Sequence, residues 1–526
     1  MENKIKAQNP ESEPSISSNN LLYLSLALFI ALGLRLIFAI LLEHPGHGDQ
    51  AYYLTLAQNL AAGRGFEIDY IWHFLSSPDG LTHPSNDYWM PLTSVIICPF
   101  LFFFGKSLIS ALIPSIVFGL TLTFVTYLVG KEFSKSRAVA ISSAILILFI
   151  PDLFKYSIQT DSTIFYAVFV SLGLLLMIKG QDDIRMFIPA TAMVGLAHLT
   201  RQDGLLLIPV LIISLFMTSY RLSAKIRTLS YSIAVYLLVL SPFLIDNYLT
   251  FGAVLATGSA KTTFLTGYED IYSYSKNLTL DSYLAWGWDN ILLSKFKILL
   301  TNVKTIFVIF GTFFWIFLIV GILNVIISPD VRARLRPFLS PILYFAILFC
   351  FYTFIATFPA AMGGFYRSVM ALIPFLIVIS MAGLYRFIKS RRILYTVIIL
   401  AFLGLIVDSV FTVRDTVAFS SDTNAWLGDL KYIIETSHET DSEIVIMTRG
   451  PWEVHYSTGF RAIQIPNDDR ETIYSVANKF KANYLLLPAP REALMNIYDG
   501  QDNDSRFEYF TDIPDTHYKI FRIISN

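Results

Sequence analysis

An isolated carboxylate, Asp49, stands just beyond the first long apolar run, in "GHGDQAYYLTLAQNLAAGRGF" (46–66). A carboxylate so placed can take a proton from a hydroxyl or an amine. It can also cap a helix, since Asp is a favoured N-cap and stabilises a helix by about 1 kcal/mol. The two roles are compatible, because a cap needs only one oxygen. Arg201 in "HLTRQDG", Arg367 in "GGFYRSVMALIP" and Lys261 can each hold a phosphate through charge-assisted hydrogen bonds, or snorkel to lipid headgroups. Asp203, two residues from Arg201, offers a local ion pair. Arg35 lies inside the first apolar run, where a charge costs at least ~2 kcal/mol unless paired. Asp161 in "YSIQTDS" is its candidate partner; alternatively, Asp161 orients a substrate. "THPSNDYWMPL" (82–92) contributes His83, Asp87, Tyr88 and Trp89. Its aromatics suit a membrane-interface belt, a platform for a sugar or a groove for an isoprenoid chain.

These residues are set in a membrane protein. Of 526 residues, 54% are hydrophobic and 15% charged, against about 25% charged in soluble domains. The net charge of −1 gives no global signal for nucleic acid. Cys98 and Cys350 both lie in apolar runs and read as packed thiols. Neither CxxC nor HxxxH spacing occurs, so no metal or other cofactor is expected.

A spanning helix needs about 20 apolar residues. Eleven candidates follow residues 1–20, which read as a disordered cytosolic tail: 21–42, 107–130, 138–154, 162–179, 186–200, 204–220, 229–246, 303–327, 338–357, 368–387 and 393–413. The segment 91–104 is too short and carries Pro99, so it reads as an interfacial or re-entrant helix. Basic residues fix the orientation. Lys131, Lys135 and Arg137 share one short loop, Arg221, Lys225 and Arg227 another, and Arg386, Lys389, Arg391 and Arg392 a third. With a cytoplasmic N-terminus these loops are cytoplasmic, and 43–106, 247–302 and 414–526 are extracytoplasmic. Asp49, Arg201, Lys261 and Arg367 then share the outer side.

Tyr53, Leu56, Ala57 and Leu60 form one apolar face, and Gly63 and Gly65 follow. The segment 50–62 therefore reads as a short amphipathic helix on the outer membrane surface, with Asp49 at its N-cap. Beyond 414, "SEIVIMT", "NYLLLP" and "HYKIFRII" read as strands and 468–482 as a helix with Ile473, Val476, Ala477 and Phe480 inward. A small extracytoplasmic α/β domain is expected there, after a transmembrane domain over 21–413.

An acid after the first span followed by "YYLTLAQNLAAGRGF" resembles the membrane glycosyltransferases of the GT-C fold. The nearest resemblance is to glycosyltransferase family 39, the protein O-mannosyltransferases and the aminoarabinose transferase of lipid A. Tyr88, Trp89, Pro91, Leu92, Phe104 and Gly105, "LTRQDGLLLIP" (199–209), "NYLTFG" (247–252) and the C-terminal "IVIMTRGPW…YSTGF…IQIP…NYLLL" carry the same resemblance. It implies an α-helical polytopic enzyme of the cell membrane. Such enzymes move a sugar, with inversion, from a polyprenyl-phosphate donor to a lipid, glycan or protein acceptor outside the cytoplasm. Asp49 is then the general base, with Gln50 where many relatives have a second acid. Arg201, Arg367 and Lys261 become candidates for the donor phosphate. Tyr53, His83, Trp89, Asp161 and Arg35 become candidates for supporting the site. A polytopic transporter or lipid-linked-sugar flippase is the alternative. Against it, most charges cluster at outer span ends, and no repeated halves are visible.

Overall fold

The computed structural model describes residues 18–76, 78–255, 257–309, 311–335, 337–355, 363–437, 443–487 and 491–524. The expected tail 1–20 lies outside them as far as residue 17, and Ser18 already opens the first helix, Ser18–Leu41. Six helices among the described residues are long and apolar enough to cross a membrane: Leu22–Leu41, Leu108–Ser134, Ser162–Lys179, Leu222–Phe251, Gly364–Phe387 and Arg391–Ser437. The remaining expected spans correspond to shorter apolar helices, among them Arg137–Ile147, Ile184–Thr200, Gln202–Phe216 and Leu339–Ile355. The segment 91–104 is the short helix Leu92–Phe104, with Pro99 inside it. The chain is thus a multi-pass helical membrane protein.

Burial ranks the helices. In Ser162–Lys179, 83% of the apolar window is buried, against 22% in Leu22–Leu41. A helix apolar all round belongs inside a bundle, so 162–179 is central. Its Phe165 and Val170 belong to one core with Val125 and Val129 of Leu108–Ser134 and with Ile377 and Met381 of Ile373–Phe387. Cys98 is half-buried, whereas Cys350 is exposed on the bundle surface rather than packed.

The expected span 138–154 breaks into Arg137–Ile147 and Pro151–Tyr156. Pro151 has no N–H to continue the first helix, and Ile150 before it is extended, with φ −69° and ψ 120°. Such a break frees carbonyls where no water can satisfy them. Arg35 supplies donors there. Its Nη2 donates to the Leu148 carbonyl at 2.9 Å, its Nη1 to Ala31 at 3.2 Å, and its Nε to Ser157 Oγ at 2.7 Å. Its guanidinium also lies 4.2 Å over Phe154. The expected Arg35–Asp161 pair does not form, because neutral oxygens beside the break already take the guanidinium. Arg35 therefore braces the bundle and is no part of the Asp161 cluster. Arg35→Ala should cost about 1–3 kcal/mol for each oxygen left unpaired, read as a lower thermal unfolding midpoint in detergent.

The last span does not end at 413. Helix Arg391–Ser437 runs for 47 residues, roughly 70 Å at 1.5 Å per residue, so the expected boundary at 414 falls in mid-helix. Beyond it lies a sheet. Its strands are β4 (Val445–Thr448), β5 (Arg461–Gln464), β6 (Tyr484–Leu487), β7 (Phe507–Asp512) and β8 (Lys519–Ile523), with helices Pro451–Thr458 and Arg470–Lys479 between. The three strands read from the sequence are present, and Ile473, Val476, Ala477 and Phe480 are buried. The edge strand, however, comes from the first loop. There β1 (Glu67–Ile68) pairs with β3 (His83–Pro84), while β2 (Tyr70–Ile71) lies parallel to β5. The sheet order is β2-β5-β4-β6-β8-β7.

One core joins Tyr52 and Trp72 of the first loop, Ile271 of the second, Leu430 of the long helix, and Ile446 and Val454 of the C-terminal unit. The three segments that the charge pattern assigns to one side therefore lie together. This packing also corrects the reading of 50–62. The helix is Gly48–Ala61, and Thr55 and Asn59 of its polar face are buried along with Tyr52, Leu54 and Leu56. It is sandwiched between the bundle and the C-terminal unit rather than floating on a surface.

Candidate active site

Four helix ends converge beneath this shared core. Asp49 is the second residue of Gly48–Ala61, not its cap. His47 holds the N-cap position, and an acid in the first turn complements the helix dipole. Asp161 caps Ser162–Lys179, accepting from Thr163 N at 2.8 Å. Arg367 sits in the short helix Gly364–Val369. Arg201 ends helix Phe187–Thr200, and Asp203 lies in the 3₁₀ turn Gln202–Leu206 that follows.

These ends form one charged network. Arg367 Nη1 contacts the Asp49 carboxylate and also reaches Asp161 Oδ2 at 3.2 Å. Gln50 Nε2 donates to Asp161 at 2.9 Å, and Thr160 Oγ1 donates to the Gln50 carbonyl at 2.8 Å. Arg201 Nε donates to Asp203 at 3.1 Å, and its Nη1 is 3.4 Å from Ser162 Oγ. Asp203 also accepts from Tyr352 at 3.0 Å and from Ser368. The hydroxyls that follow Asp161 and Arg367 in sequence thus tie the two acid–arginine pairs together.

Exposure separates the members. The Asp49 side chain is 26% exposed, Arg367 17% and Arg201 14%, while Asp203 is 4% and Asp161 0%. The buried acids are fully engaged in hydrogen bonds. Asp49 alone of the three acids retains an open face with a cation beside it.

The turn that carries Arg201 and Asp203 depends on Gly204. A Cβ there would lie 2.4 Å from His198 N and 2.6 Å from His198 Cα. The turn folds back on the helix it leaves, and backbone cannot yield as a side-chain tip can. Gly204→Ala should therefore pull Asp203 off Tyr352 and Ser368. We expect a loss of about 1–3 kcal/mol, measured as a lower unfolding midpoint.

Aromatic side chains wall the site. Tyr53 contacts Trp89 at a ring separation of 6.1 Å, and Tyr88 meets Trp89 edge-on at 5.6 Å. Burial, then the Asp49 charge, pushes the Tyr53 hydroxyl above its ordinary range against the pull of Arg201. Burial, then Tyr268 and Asp49, does the same for Tyr88. Both remain neutral phenols near pH 7 and so keep a hydroxyl proton to donate.

Some expected site residues lie elsewhere. Lys261 is exposed and donates to the Leu75 carbonyl at 2.6 Å, because the 258–261 segment packs on the first loop. It joins none of the contacts of Asp49, Arg201 or Arg367. His83 is buried in β3, its ring nitrogens 2.9 Å from the Pro84 carbonyl and 3.1 Å from that of Tyr70. It staples two strands and has no free nitrogen for a substrate. Trp89 stacks on Trp72 at 4.1 Å and 11°, so that face is closed to a sugar.

Tyr156, Ser162 and Ser368 are site neighbours that the sequence reading overlooks, and Tyr268 lies behind them through its contact with Tyr272. Tyr156 places its ring 6.0 Å from the Arg367 guanidinium. The serines carried a faint signal, each directly following a charged residue, with Ser162 opening its helix. Tyr268 had none, since its loop has no periodicity.

Residues 82–245 match the family model described as dolichyl-phosphate-mannose-protein mannosyltransferase. No curated protein sequence matches the chain. Among solved structures, ArnT from Cupriavidus metallidurans bound to undecaprenyl phosphate is similar, with a TM-score of 0.64 at 11% identity, over 97% of this chain and 99% of that one. The archaeal oligosaccharyltransferase AglB from Archaeoglobus fulgidus, in complex with an inhibitory peptide and a dolichol-phosphate, gives a TM-score of 0.57 at 13% identity, over 89% and 70% of the two chains. The fold is therefore the GT-C fold, bundle and C-terminal unit included.

Proposed function

We propose that this chain, a membrane glycosyltransferase of the GT-C fold, moves a sugar from a polyprenyl-phosphate donor to an acceptor on the extracytoplasmic side, with inversion at the anomeric carbon. The observation that carries the reading is the half-open Asp49 carboxylate held against Arg367 at the mouth of an otherwise buried charged network. An acceptor hydroxyl or amine hydrogen-bonded to Asp49 loses its proton to that carboxylate as it attacks the anomeric carbon. The bond from that carbon to the phosphate oxygen breaks on the opposite face, and the phosphate departs with the electron pair. Arg367 is the nearest cation to receive it, and Arg201 the second. Tyr53 and Tyr88 offer neutral donors. A lipid, glycan or protein can serve as acceptor.

Asp161 shapes this site without reacting. Fully buried, it fixes Arg367 from behind and anchors Gln50, the residue next to the base. Gln50, at the position where the family resemblance implies a second acid in many members, acts as a neutral brace. The transporter or flippase alternative has no comparable support, since the matched family and both similar folds are glycosyl-transferring enzymes.

The test is direct. Purified protein is incubated with radiolabelled polyprenyl-phosphate sugars and membranes carrying candidate acceptors. Label should pass to an acceptor as free polyprenyl phosphate appears. Label that stays on the donor across hexose and pentose donors would refute the reading.

A further inference from the structure

At the carboxyl ends of its parallel strands, where an open sheet offers a crevice, the C-terminal unit holds the chain's own second loop. In an open sheet with parallel strands, ligands bind outside the carboxyl ends of the strands where the strand order reverses. Here that point is β4, which has β5 on one side and β6 on the other, all three parallel. Arg449 follows β4, Asn467 and Asp468 follow β5, and Arg491 follows β6. Between the two arginines lies the carboxylate of Glu269, a second-loop residue. It accepts from Arg449 Nη2 at 3.3 Å and from Arg491 Nη1. Asp468 receives Ser273 Oγ at 2.8 Å and Tyr274 N at 2.6 Å, and Asn467 N donates to the Tyr272 carbonyl at 3.0 Å. The second loop is thus held at consecutive points by the switch-point end of the sheet.

The grip centres on charge. The Arg491 side chain is 4% exposed, while Glu269 is 42% exposed. Burial pulls the Arg491 guanidinium below its ordinary value, and Glu269 opposes that pull. A buried cation without its acid is costly, so the crevice needs Glu269. The residue before it, Tyr268, meets Tyr272 edge-on at a ring separation of 6.0 Å, and Tyr272 shares one core with Tyr53, against which Tyr88 and Trp89 of the site wall pack.

We propose that Glu269 is a positioning residue for the transfer reaction: gripped by Arg449 and Arg491, it holds Tyr268 at the wall of the Asp49–Arg367 site. This rests on the glycosyl-transfer reading above. It gives the C-terminal unit a task, which is to set the second loop over the chemistry by holding a segment of its own chain at the carboxyl ends of its strands.

Full-length protein in nanodiscs tests this in two ways. Without any substrate, amide exchange over 262–276 should speed up at least about tenfold in Glu269→Gln as the loop opens locally, and to a smaller degree in Arg449→Gln, while exchange in the spans stays unchanged. With a labelled donor, Glu269→Gln and Tyr268→Ala should each raise the donor KM about tenfold, the scale of one positioned polar contact. If Glu269 acts through Tyr268, the double variant should be no worse than Tyr268→Ala alone. Losses that multiply, or exchange over 262–276 that does not change, would overturn the proposal. The exchange result is independent of activity, so wild-type protein that transfers no sugar would strike the functional reading while the grip on the loop is still judged.

Discussion

Asp49→Asn should lower the turnover of sugar transfer by about 10²–10⁴-fold, the usual contribution of a positioned general base, without loosening the protein. Asparagine keeps the size and one oxygen of aspartate but cannot accept the acceptor's proton. Arg367 retains Asp161 at 3.2 Å, so no buried cation is orphaned and the unfolding midpoint should hold. Removing the anion also frees Arg367 toward a donor phosphate. The donor KM should therefore stay level or fall while kcat collapses. That split separates a base from a binding residue, because losing uniform binding raises KM instead. Asp161→Asn provides the contrast. Its carboxylate is fully buried and caps a helix, so its loss should appear in stability as much as in rate. Equal turnover by wild type and Asp49→Asn would remove Asp49 from the mechanism.

The sequence made the bundle legible and left much of the site's outer wall hidden, and the reason is physical. Apolar runs report their own burial, so the spans and the strands "IVIM" and "YLLL" could be read locally. Asp49, Arg201, Asp161 and Arg367 stood out because a charge at a span end is rare and costly. Their pairings were not legible. Arg35 looked as though it needed an acid, yet a proline-broken helix offered it carbonyl oxygens instead. Asp161 then became free to meet Arg367, about two hundred residues away in sequence. The helix after Asp49 read as amphipathic because its cover is not local: Asn59 is met by the Glu67 carbonyl of the first loop, and the start of the helix by the far end of the chain. Trp452 packs against Gly48 so closely that a Cβ there would lie 2.6 Å from the indole. Nothing local in "GHGDQAYY" foretells that contact.

The same long-range pairing makes Arg367 the residue whose loss should do the most damage. One guanidinium neutralises both Asp49 and Asp161. Arg367→Ala leaves Asp161 buried and without a cation, which typically costs about 3–5 kcal/mol, and it removes the first ligand for a leaving phosphate. We expect poor expression and transfer reduced by at least about 10³-fold, on the scale of an oxyanion donor and a positioned charge lost together. The two causes can be separated. In Arg367→Ala combined with Asp161→Asn, the stranded charge is gone, so expression and the unfolding midpoint should recover much of the loss. Transfer should not recover, because the phosphate still lacks its first ligand. Arg367→Lys keeps a charge but not the planar fork that meets two carboxylates at once. It should fold nearly normally and retain a donor-dependent activity between the two extremes. If the double variant regained transfer along with stability, Arg367 would be a counter-ion for Asp161 alone. Arg201, paired with Asp203 on the far side of Ser162, would then be left to hold the donor phosphate.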